Sequence, residues 1–236
     1  MSKTLIDGDI IAYRCAFAHK DDPIEAALEG VDEIMEYIFN ECSFYNPTGE
    51  YEVYITGKNN FRNNIAVTHK YKGNRKDADK PVHLVGIREY LVRKYMAICS
   101  KGEEADDLIG IEATRVGPKV VIASADKDML QLAAYHFNFN KNEWKTVDAT
   151  EGLQFFYTQI LTGDTADNIK GLYRVGPVKA EKILKGITEE RELWNTVVEA
   201  YDKDVDRVLE NARLLWLRRY EGEIWEPPHQ RKPKAA

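Results

Sequence analysis

Carboxylate side chains recur beside small or turn-forming residues in four separated segments of the chain. Gathered in one place, such side chains would repel one another, and a divalent cation would reverse that repulsion. Oxygen ligands without His or Cys nearby suit a hard cation such as Mg²⁺ or Mn²⁺ rather than zinc. Two ions about 4 Å apart can activate water and stabilise a leaving oxygen. The acids are Asp7 with Asp9, Glu104 with Asp106 and Asp107, Asp126 with Asp128, and Asp164 with Asp167.

Each group of acids also has a purely structural interpretation. Ser100, three residues before Glu103, could begin a capping box in which the acids only complement a helix dipole. The other pairs could be helix caps or ordinary turn residues. On a helix, however, Glu104 and Asp107 would share a face, where like charges repel. Because four separated segments all carry acids, we interpret them together as a metal site.

A basic segment, HKYKGNRK over residues 69–76, gathers its cations around an aromatic residue and a glycine. Such a run is usually a solvated face, and we expect a mobile loop. Beside a carboxylate cluster, the same cations could grip a phosphate and stabilise developing charge. The residues that could do so are Lys70, Tyr71, Lys72, Arg75 and Lys76.

A second candidate phosphate-binding segment is DNIKGLYRVGPVKAEKIL. It places Gly171 and Gly176 in a turn between two short helical stretches, with Pro177 suited to the first position of the second helix. The start of that helix would favour an anion, and Lys179 and Lys182 add positive charge. The alternative is a plain helical hairpin whose glycines relieve crowding. The lysines favour contact with the phosphates of a duplex, independent of base sequence.

Apolar runs indicate how the chain would position the acids. KTLI before Asp7 and KVVIAS before Asp126 predict buried strands that each end at a carboxylate, and YEVYIT predicts a third strand. Helical patterns lie between the strands, over residues 25–45, 82–96 and 105–115. This alternation predicts an α/β fold, with a central, mostly parallel sheet covered by helices. Ligands in such sheets bind beyond the carboxyl ends of the strands.

Composition suggests two parts and excludes several classes of protein. Strand signals fade after about residue 150, which predicts an α/β domain over residues 1–150 and a helical subdomain over residues 151–236, ending in a basic tail. The net charge of -6 argues against a protein that coats nucleic acid. The three cysteines suggest neither a disulfide framework nor a zinc site. Without any membrane-spanning stretch, we expect a soluble, cytoplasmic protein. The sequence leaves the oligomeric state open, with a monomer as the default.

Five segments together resemble the 5′ nuclease, or flap endonuclease, superfamily: IDGD, YKGNR, EEADD, SADKDMLQL and LTGDTADNIKGLYRVGPVKAEKIL. Their order and approximate spacing match across most of the chain. The short length, the segment ITGKNNFR and the ending NARLLWLRRYEGEIWEPP are most similar to the compact 5′-3′ exonucleases encoded by bacteriophages. The resemblance implies a PIN-like fold with a C-terminal helix-turn-helix DNA-binding subdomain. It also implies a 5′-3′ exonuclease or flap endonuclease that hydrolyses DNA with two metal ions in phage replication.

The resemblance also assigns roles to individual residues. The first metal would be held by Asp7, Glu104, Asp106 and Asp126. The second would be held by Asp107, Asp128, Asp164 and Asp167. Catalysis at the scissile phosphate would rest on Lys72 and Arg75, from an arch or clamp near residues 69–80, with Asp7 and Asp126. Duplex DNA with a 5′ end or flap would be held, with K⁺ at the hairpin, by Gly171, Val175, Gly176, Lys179 and Lys182.

One position departs from the family pattern, because the aspartate expected after the second strand matches Gly57 here. The first metal site could be weakened, or Asp9 or water could compensate. The alternative function is therefore a structure-specific DNA-binding module with weakened catalysis. An RNA-cleaving PIN-like nuclease and a small-molecule phosphohydrolase are further alternatives, and neither would need the glycine hairpin. Exonuclease or flap preference, RNA acceptance and replication partners stay open, as does a host-cytoplasmic location if the protein is phage-encoded.

Overall fold

A computed structural model describes residues 2–75 and 80–231 of the chain. Within them, a six-stranded sheet occupies the first part of the sequence, and helices with a two-stranded hairpin follow. The strands are β1 (Thr4–Asp7), β2 (Tyr51–Ile55), β3 (Ile98–Cys99), β4 (Val121–Ala123), β5 (Ala134–Asn138), β6 (Glu143–Val147), β7 (Gly163–Asp164) and β8 (Ile169–Lys170). The α-helices are α1 (Gly8–Ala18), α2 (Ile24–Cys42), α3 (Arg62–Ile65), α4 (Leu84–Tyr95), α5 (Ala105–Val116), α6 (Ala149–Thr162), α7 (Pro177–Leu184), α8 (Glu190–Ala200) and α9 (Val205–Leu215).

The large sheet has the strand order β3-β2-β1-β4-β5-β6. All neighbouring strands are parallel except β5 and β6, which form an antiparallel edge. Strand β1 lies in the middle, where Ile6 pairs with Val53 on one side and Ala123 on the other. Parallel strands covered on both faces carry continuous apolar runs, as Leu5–Ile6 and Val120–Ala123 do. The predicted α/β fold with a mostly parallel sheet is confirmed.

The sheet is covered by helices whose apolar residues share one face. In α2, buried residues recur every three or four positions at Ala27, Val31, Met35, Ile38 and Cys42. Helices α2, α4 and α5 confirm the three predicted helical patterns, with ends that differ by a few residues. None of the helices in the described ranges combines the length and apolar composition needed to cross a lipid bilayer.

The described residues divide into two compact units. The first contains residues 2–60, 80–148 and 219–221, and the second contains residues 61–75, 149–218 and 222–231. Contacts thus group the basic segment with the C-terminal helices, whereas the sequence prediction placed a single boundary at residue 150. The assignment of catalysis to residues 1–150 and of DNA binding to residues 151–236 stays a prediction.

The connection before α7 differs from the prediction of two short helical stretches around Gly171 and Gly176. Residues Ile169–Lys170 form β8, which pairs with β7. Where the chain enters β7 and leaves β8, the backbones pack so closely that a Cβ on Gly171 would lie 2.2 Å from the carbonyl carbon of Thr162. Glycine is needed here for backbone approach rather than for a turn between helices. The helices that flank this hairpin are α6 and α7.

Candidate active site

Asp7 ends β1 and begins α1, which places its carboxylate at the carboxyl edge of the sheet. The side chain is only 2% exposed. One oxygen accepts the Ile10 N–H at 3.1 Å, which makes Asp7 the N-cap of α1. The other oxygen accepts the Ser124 hydroxyl at 2.7 Å. The start of α1 and the residue after β4 therefore both fix the position of this carboxylate.

The electrostatic surroundings of Asp7 are those of a crowded acidic site. Burial raises the pKa of this carboxyl, and the charges of Asp9 and Asp126 raise it further. The hydrogen bonds from Ser124 and Ile10 oppose this shift, and the resulting pKa is about 7. The structure thus brings together Asp7, Asp9 and Asp126, three of the acids selected from the sequence.

Asp126 follows β4, the parallel neighbour of β1. Ser124 links the two strand ends, because its hydroxyl donates to Asp7 and accepts the Asp126 N–H at 3.0 Å. The Asp126 carboxylate accepts the Asp128 N–H at 2.8 Å and caps a short 3-10 helix over Lys127–Gln131. The ordinary structural interpretation of a strand end and helix cap is therefore present. It leaves the partly exposed Asp126 carboxylate beside Asp7.

The acids around residue 104 lie at the start of α5. Glu104 is the N-cap, and the Asp107 carboxylate accepts the Glu104 N–H at 3.0 Å. The alternative structural interpretation began a capping box at Ser100, whereas the observed box begins at Glu104. The Ser100 hydroxyl instead donates to the carbonyl of Glu103 at 2.6 Å. Glu104 and Asp107 are buried, whereas Asp106 is partly exposed.

Thr56, directly after β2, connects the sheet edge with α5. Its hydroxyl accepts the Ala105 N–H at 3.0 Å, and its own N–H donates to Asp9 at 2.8 Å. Arg88 of α4 donates to both Asp9 and the Thr56 carbonyl. Sequence reasoning selected Asp9 but missed Thr56, Ser124 and Arg88. No spacing pattern could have found them, because each acts through a contact between distant segments.

Gly57 occupies the position where the family pattern suggested an aspartate. A Cβ at this position would lie 1.9 Å from the carbonyl oxygen of Ser100. The Gly57 N–H donates to the Ser100 hydroxyl at 2.9 Å, which holds the two segments together. A side chain therefore cannot be added at residue 57 without a backbone shift.

In the second unit, Asp164 ends β7 and Asp167 lies on the turn between β7 and β8. The buried Asp164 carboxylate accepts the Ala166 N–H at 2.7 Å, so it stabilises this turn. Asp167 accepts the Tyr71 hydroxyl at 2.8 Å and forms an ion pair with Arg75 at 2.7 Å. Turn residues were the alternative interpretation of this pair, and the structure shows that geometry. Their assignment as metal ligands stays a prediction.

The basic segment is folded against the same turn. Tyr71 is only 5% exposed, and the Lys72 ammonium lies 3.7 Å from the Asp167 carboxylate. The Arg75 side chain also donates to the Ala166 carbonyl at 3.1 Å. The expectation of a mobile loop is therefore wrong for Lys70 to Arg75, since buried Tyr71 and these ion pairs fix it. Lys76 lies outside the described residues.

Lys72 adopts an uncommon backbone conformation. Its φ angle is 52°, in the left-handed region that side chains other than glycine, asparagine and aspartate rarely adopt. Its ammonium lies 5.1 Å from the centre of the Tyr71 ring. Backbone conformations of this cost concentrate at functional sites, where surrounding contacts hold them in place. Tyr71 and Asp167 provide those contacts here.

The helix α7 begins as the sequence predicts, with Gly176 as N-cap and Pro177 at its first position. Gly176, Lys179 and Lys182 are exposed, whereas Val175 is buried. The buried Val175 anchors the loop, because its N–H donates to the Leu172 carbonyl at 3.1 Å. The start of α7 therefore presents the positive end of the helix dipole and the charge of two lysines to solvent.

The donor set of the first unit suits a hard cation. Its carboxylates are accompanied by hydroxyl oxygens of Ser124 and Thr56, which are compatible with Mg²⁺ or Mn²⁺. In residues 2–75 and 80–231, no three Asp, Glu, His or Cys side chains are close enough to hold an ion as they stand. Ion binding would therefore require side-chain movement, for which the partly exposed Asp106, Asp126 and Asp128 have room.

Known proteins are similar to this chain in sequence and in fold. A family model described as the 5′-3′ exonuclease, N-terminal resolvase-like domain, matches residues 2–157. A 5′-3′ exonuclease of Buchnera aphidicola is 29% identical over 216 residues, covering 82% of this chain and 73% of the relative. A flap endonuclease Xni of Shewanella piezotolerans is 27% identical over 237 residues, covering 92% of this chain and 89% of the relative.

A solved structure of a bacteriophage T5 flap endonuclease, bound to DNA and metal ions, has the same fold. It superposes with a TM-score of 0.63 at 18% sequence identity, covering 91% of this chain and 89% of that chain. Since the family model spans well over half of the sequence, the match establishes more than a shared fold. The chain belongs to the 5′-3′ exonuclease family and is a nuclease.

Proposed function

We propose that this nuclease hydrolyses the phosphodiester backbone of DNA from 5′ ends or 5′ flaps and depends on two divalent ions, Mg²⁺ or Mn²⁺. The observation that carries the proposal is the buried Asp7 carboxylate, held at a strand end beside Asp9 and Asp126. A buried carboxylate close to other acids is stabilised when a cation pairs with it. The structural relative from bacteriophage T5, which was crystallised with DNA and metal ions, supports the same conclusion.

Different carboxylates would bind each of the two ions. When bound, the ions would activate water and stabilise the charge that develops on the leaving 3′ oxygen. The chain's own contribution is to orient the ligands, through Ser124 at Asp7 and through the capping box at Glu104. The proposed ligands are Asp7, Glu104, Asp106 and Asp126 for one ion, and Asp107, Asp128, Asp164 and Asp167 for the other.

Lys72 and Arg75 would bind the scissile phosphate and stabilise its transition-state charge. Their ion pairs with Asp167 keep both cations ordered. A phosphate would compete for these donors, and the conformation of Lys72 fits a position that is fixed for function. Lys70 and Tyr71 would support this contact from the same segment, together with Lys76.

The loop from Gly171 to Gly176 and the start of α7 would hold the duplex. The positive end of the dipole at a helix start favours a phosphate, and the exposed Lys179 and Lys182 add charge. K⁺ at the hairpin would complete this contact. We place the reaction in DNA replication in the cytoplasm, the host cytoplasm if a phage encodes the protein, with the protein acting as a monomer.

The test is cleavage of a 5′-labelled duplex and a 5′-flap substrate with Mg²⁺, Mn²⁺ or EDTA. Asp126→Asn should lower cleavage by more than about 100-fold, because removing a ligand costs several kcal/mol of transition-state stabilisation. Its amide oxygen can still accept the Asp128 N–H, so the fold should persist. Duplex binding, measured by fluorescence anisotropy, should stay close to that of the parent protein.

Two outcomes would contradict this proposal. Normal cleavage by Asp126→Asn would remove the metal assignment. Mg²⁺-independent duplex binding without any cleavage by the parent protein would indicate the alternative, a DNA-binding module derived from a nuclease. A Gly57→Asp variant would not restore a metal ligand in that case, because the Ser100 carbonyl occupies the space.

A further inference from the structure

Arg88, Asp9 and Thr56 form a closed group of hydrogen bonds at the end of β2. One guanidinium nitrogen of Arg88 donates to Asp9, and another donates to the carbonyl of Thr56. The second oxygen of Asp9 accepts the Thr56 N–H at 2.8 Å. Both backbone polar groups of Thr56 are therefore satisfied by the Asp9–Arg88 ion pair rather than by the sheet.

This group continues into the first turn of α5. The Thr56 hydroxyl accepts the Ala105 N–H at 3.0 Å. That amide is one of the N–H groups at a helix start that have no partner within the helix. Ala105 lies directly between Glu104 and Asp106, both proposed metal ligands. Thr56 thus caps the acid-bearing turn from outside the helix.

The residue types suit this task. A planar guanidinium can donate in parallel to a carboxylate and a carbonyl, whereas a lysine ammonium is a compact point charge without such a fork. The Arg88 and Asp9 side chains are 24% and 21% exposed, so water competes only partly for these bonds. Helix α4 is itself anchored by Ile87 and Leu91, which are fully buried. Arg88 therefore projects from a helix that the core holds in place.

We propose that Arg88 is a positioning residue of the metal site, acting through Asp9 and Thr56 on the first turn of α5. This inference rests on the proposed metal-dependent nuclease function. It assigns Asp9, which the sequence grouped with the metal acids, to holding Thr56 rather than to binding an ion. Contacts that orient metal ligands from outside usually contribute about 10-fold to 100-fold in metal affinity or activity.

The experiment measures Mn²⁺ binding to the full chain by calorimetry without DNA, and Mn²⁺-dependent cleavage separately. Arg88→Ala and Thr56→Val should each weaken Mn²⁺ binding about 10-fold. Arg88→Lys should be intermediate, and Thr56→Ser, which keeps the hydroxyl, should bind as the parent does. The kcat at saturating Mn²⁺ should change much less than the Mn²⁺ concentration for half-maximal cleavage. Amide hydrogen exchange at Ala105 should become faster in Thr56→Val.

Arg93→Ala is the matched control, because Arg93 is an exposed arginine on the same helix. Mn²⁺ affinity of Arg88→Ala or Thr56→Val equal to that of the parent would overturn the positioning role, while leaving the nuclease proposal intact. An equal loss in Arg93→Ala would also overturn it. If Arg88→Ala does not fold, the Thr56→Val and Thr56→Ser pair decides. A parent protein that neither binds Mn²⁺ nor cleaves would overturn both proposals.

Discussion

Asp7 shows at the scale of one residue why this nuclease would need a cation. A carboxylate that leaves water is stable only if it is neutralised or paired. At Asp7, burial and two neighbouring acids together raise the pKa to about 7, against the opposing hydrogen bonds from Ser124 and Ile10. A bound divalent ion would favour the ionised form of the group. The free-energy cost of burying the ionised Asp7 carboxylate alone would thus favour binding of a cation beside it.

His136, on β5, provides a pH test of a buried group outside the metal site. Burial lowers its pKa, although the hydrogen bond of its Nε2 to the Leu132 carbonyl, at 2.9 Å, opposes the shift. Because the folded pKa lies below the unfolded value of about 6.5, the unfolded state takes up the proton first. Stability should therefore fall as pH drops from about 7 through 6.5, by at most about 1.4 kcal/mol per pH unit.

The measurement is urea unfolding of the parent and of His136→Gln in EDTA, at pH 7.5 and at pH 5.5. The difference in free energy of unfolding between the two proteins isolates His136 from the acids, which titrate in both. The parent should lose more stability than His136→Gln on acidification. An equal loss in the two proteins would show that His136 takes up its proton without cost.

Individual site residues could be predicted when their role follows from local sequence. Asp7 and Asp126 each follow an apolar run, and a strand end is visible in the sequence. Arg88 and Thr56 could not be found this way, because nothing local distinguishes them from ordinary helix and loop residues. Their role arises only when α4, β2 and α5 meet. The alternative of a capping box from Ser100 misplaced its first residue because helix ends are poorly defined by sequence.

At the scale of elements, the packing around the β7–β8 hairpin predicts different effects of alanine at two glycines. A Cβ on Gly171 would lie 2.2 Å from backbone carbon of Thr162, whereas one on Gly176 would meet nothing within 4 Å. Gly171→Ala should therefore lower the free energy of unfolding by about 1–3 kcal/mol, the usual cost of overpacking. Gly176→Ala is the control without a steric clash and should cost less, at most about 1 kcal/mol from the poorer N-cap. Chemical unfolding of both variants measures this, and equal stabilities would contradict the close packing.

Helix α7 makes a second prediction at this scale. Lys179→Ala and Lys182→Ala should each weaken duplex binding and reduce the slope of log affinity against log salt by about 1. Because the lysines would contact phosphates, the loss should not depend on base sequence. Lys203→Ala removes the same charge from an exposed side chain that pairs with Glu199, and should change little. Anisotropy titrations over a salt series would reveal an unchanged slope if α7 does not bind DNA.

Elements were predicted well where one periodic pattern dominated. Helix α2 follows from its regular apolar face, and β1 and β4 follow from continuous apolar runs. The antiparallel β5–β6 edge was missed because its signal is a weaker alternation. Its turn depends on Asn138, whose side chain accepts the Asn140 and Lys141 N–H groups at 3.1 Å. The β7–β8 hairpin was missed because two-residue strands have no periodicity.

At the scale of the whole molecule, the local distribution of charge differs from the net charge. The chain has a net charge of -6, yet Lys72, Arg75 and the α7 lysines place positive charge on two segments of the second unit. The first unit holds the acids of the sheet edge. Local charge therefore governs which ligands bind, and the net value says little about nucleic acid.

This separation of charge predicts that divalent ions stabilise the folded protein. An ion that binds only the folded state adds about 1.4 kcal/mol at ten times its Kd. For a chain of this size, that corresponds to a rise in Tm of about 3–6 °C. Thermal unfolding with Mg²⁺ should show this rise in the parent, relative to NaCl at equal ionic strength. Asp126→Asn should lose most of the rise, since it removes a ligand while keeping the Asp128 contact. An equal rise in both proteins would mean that Mg²⁺ only screens the acids, and ion binding at the sheet edge would be disproved.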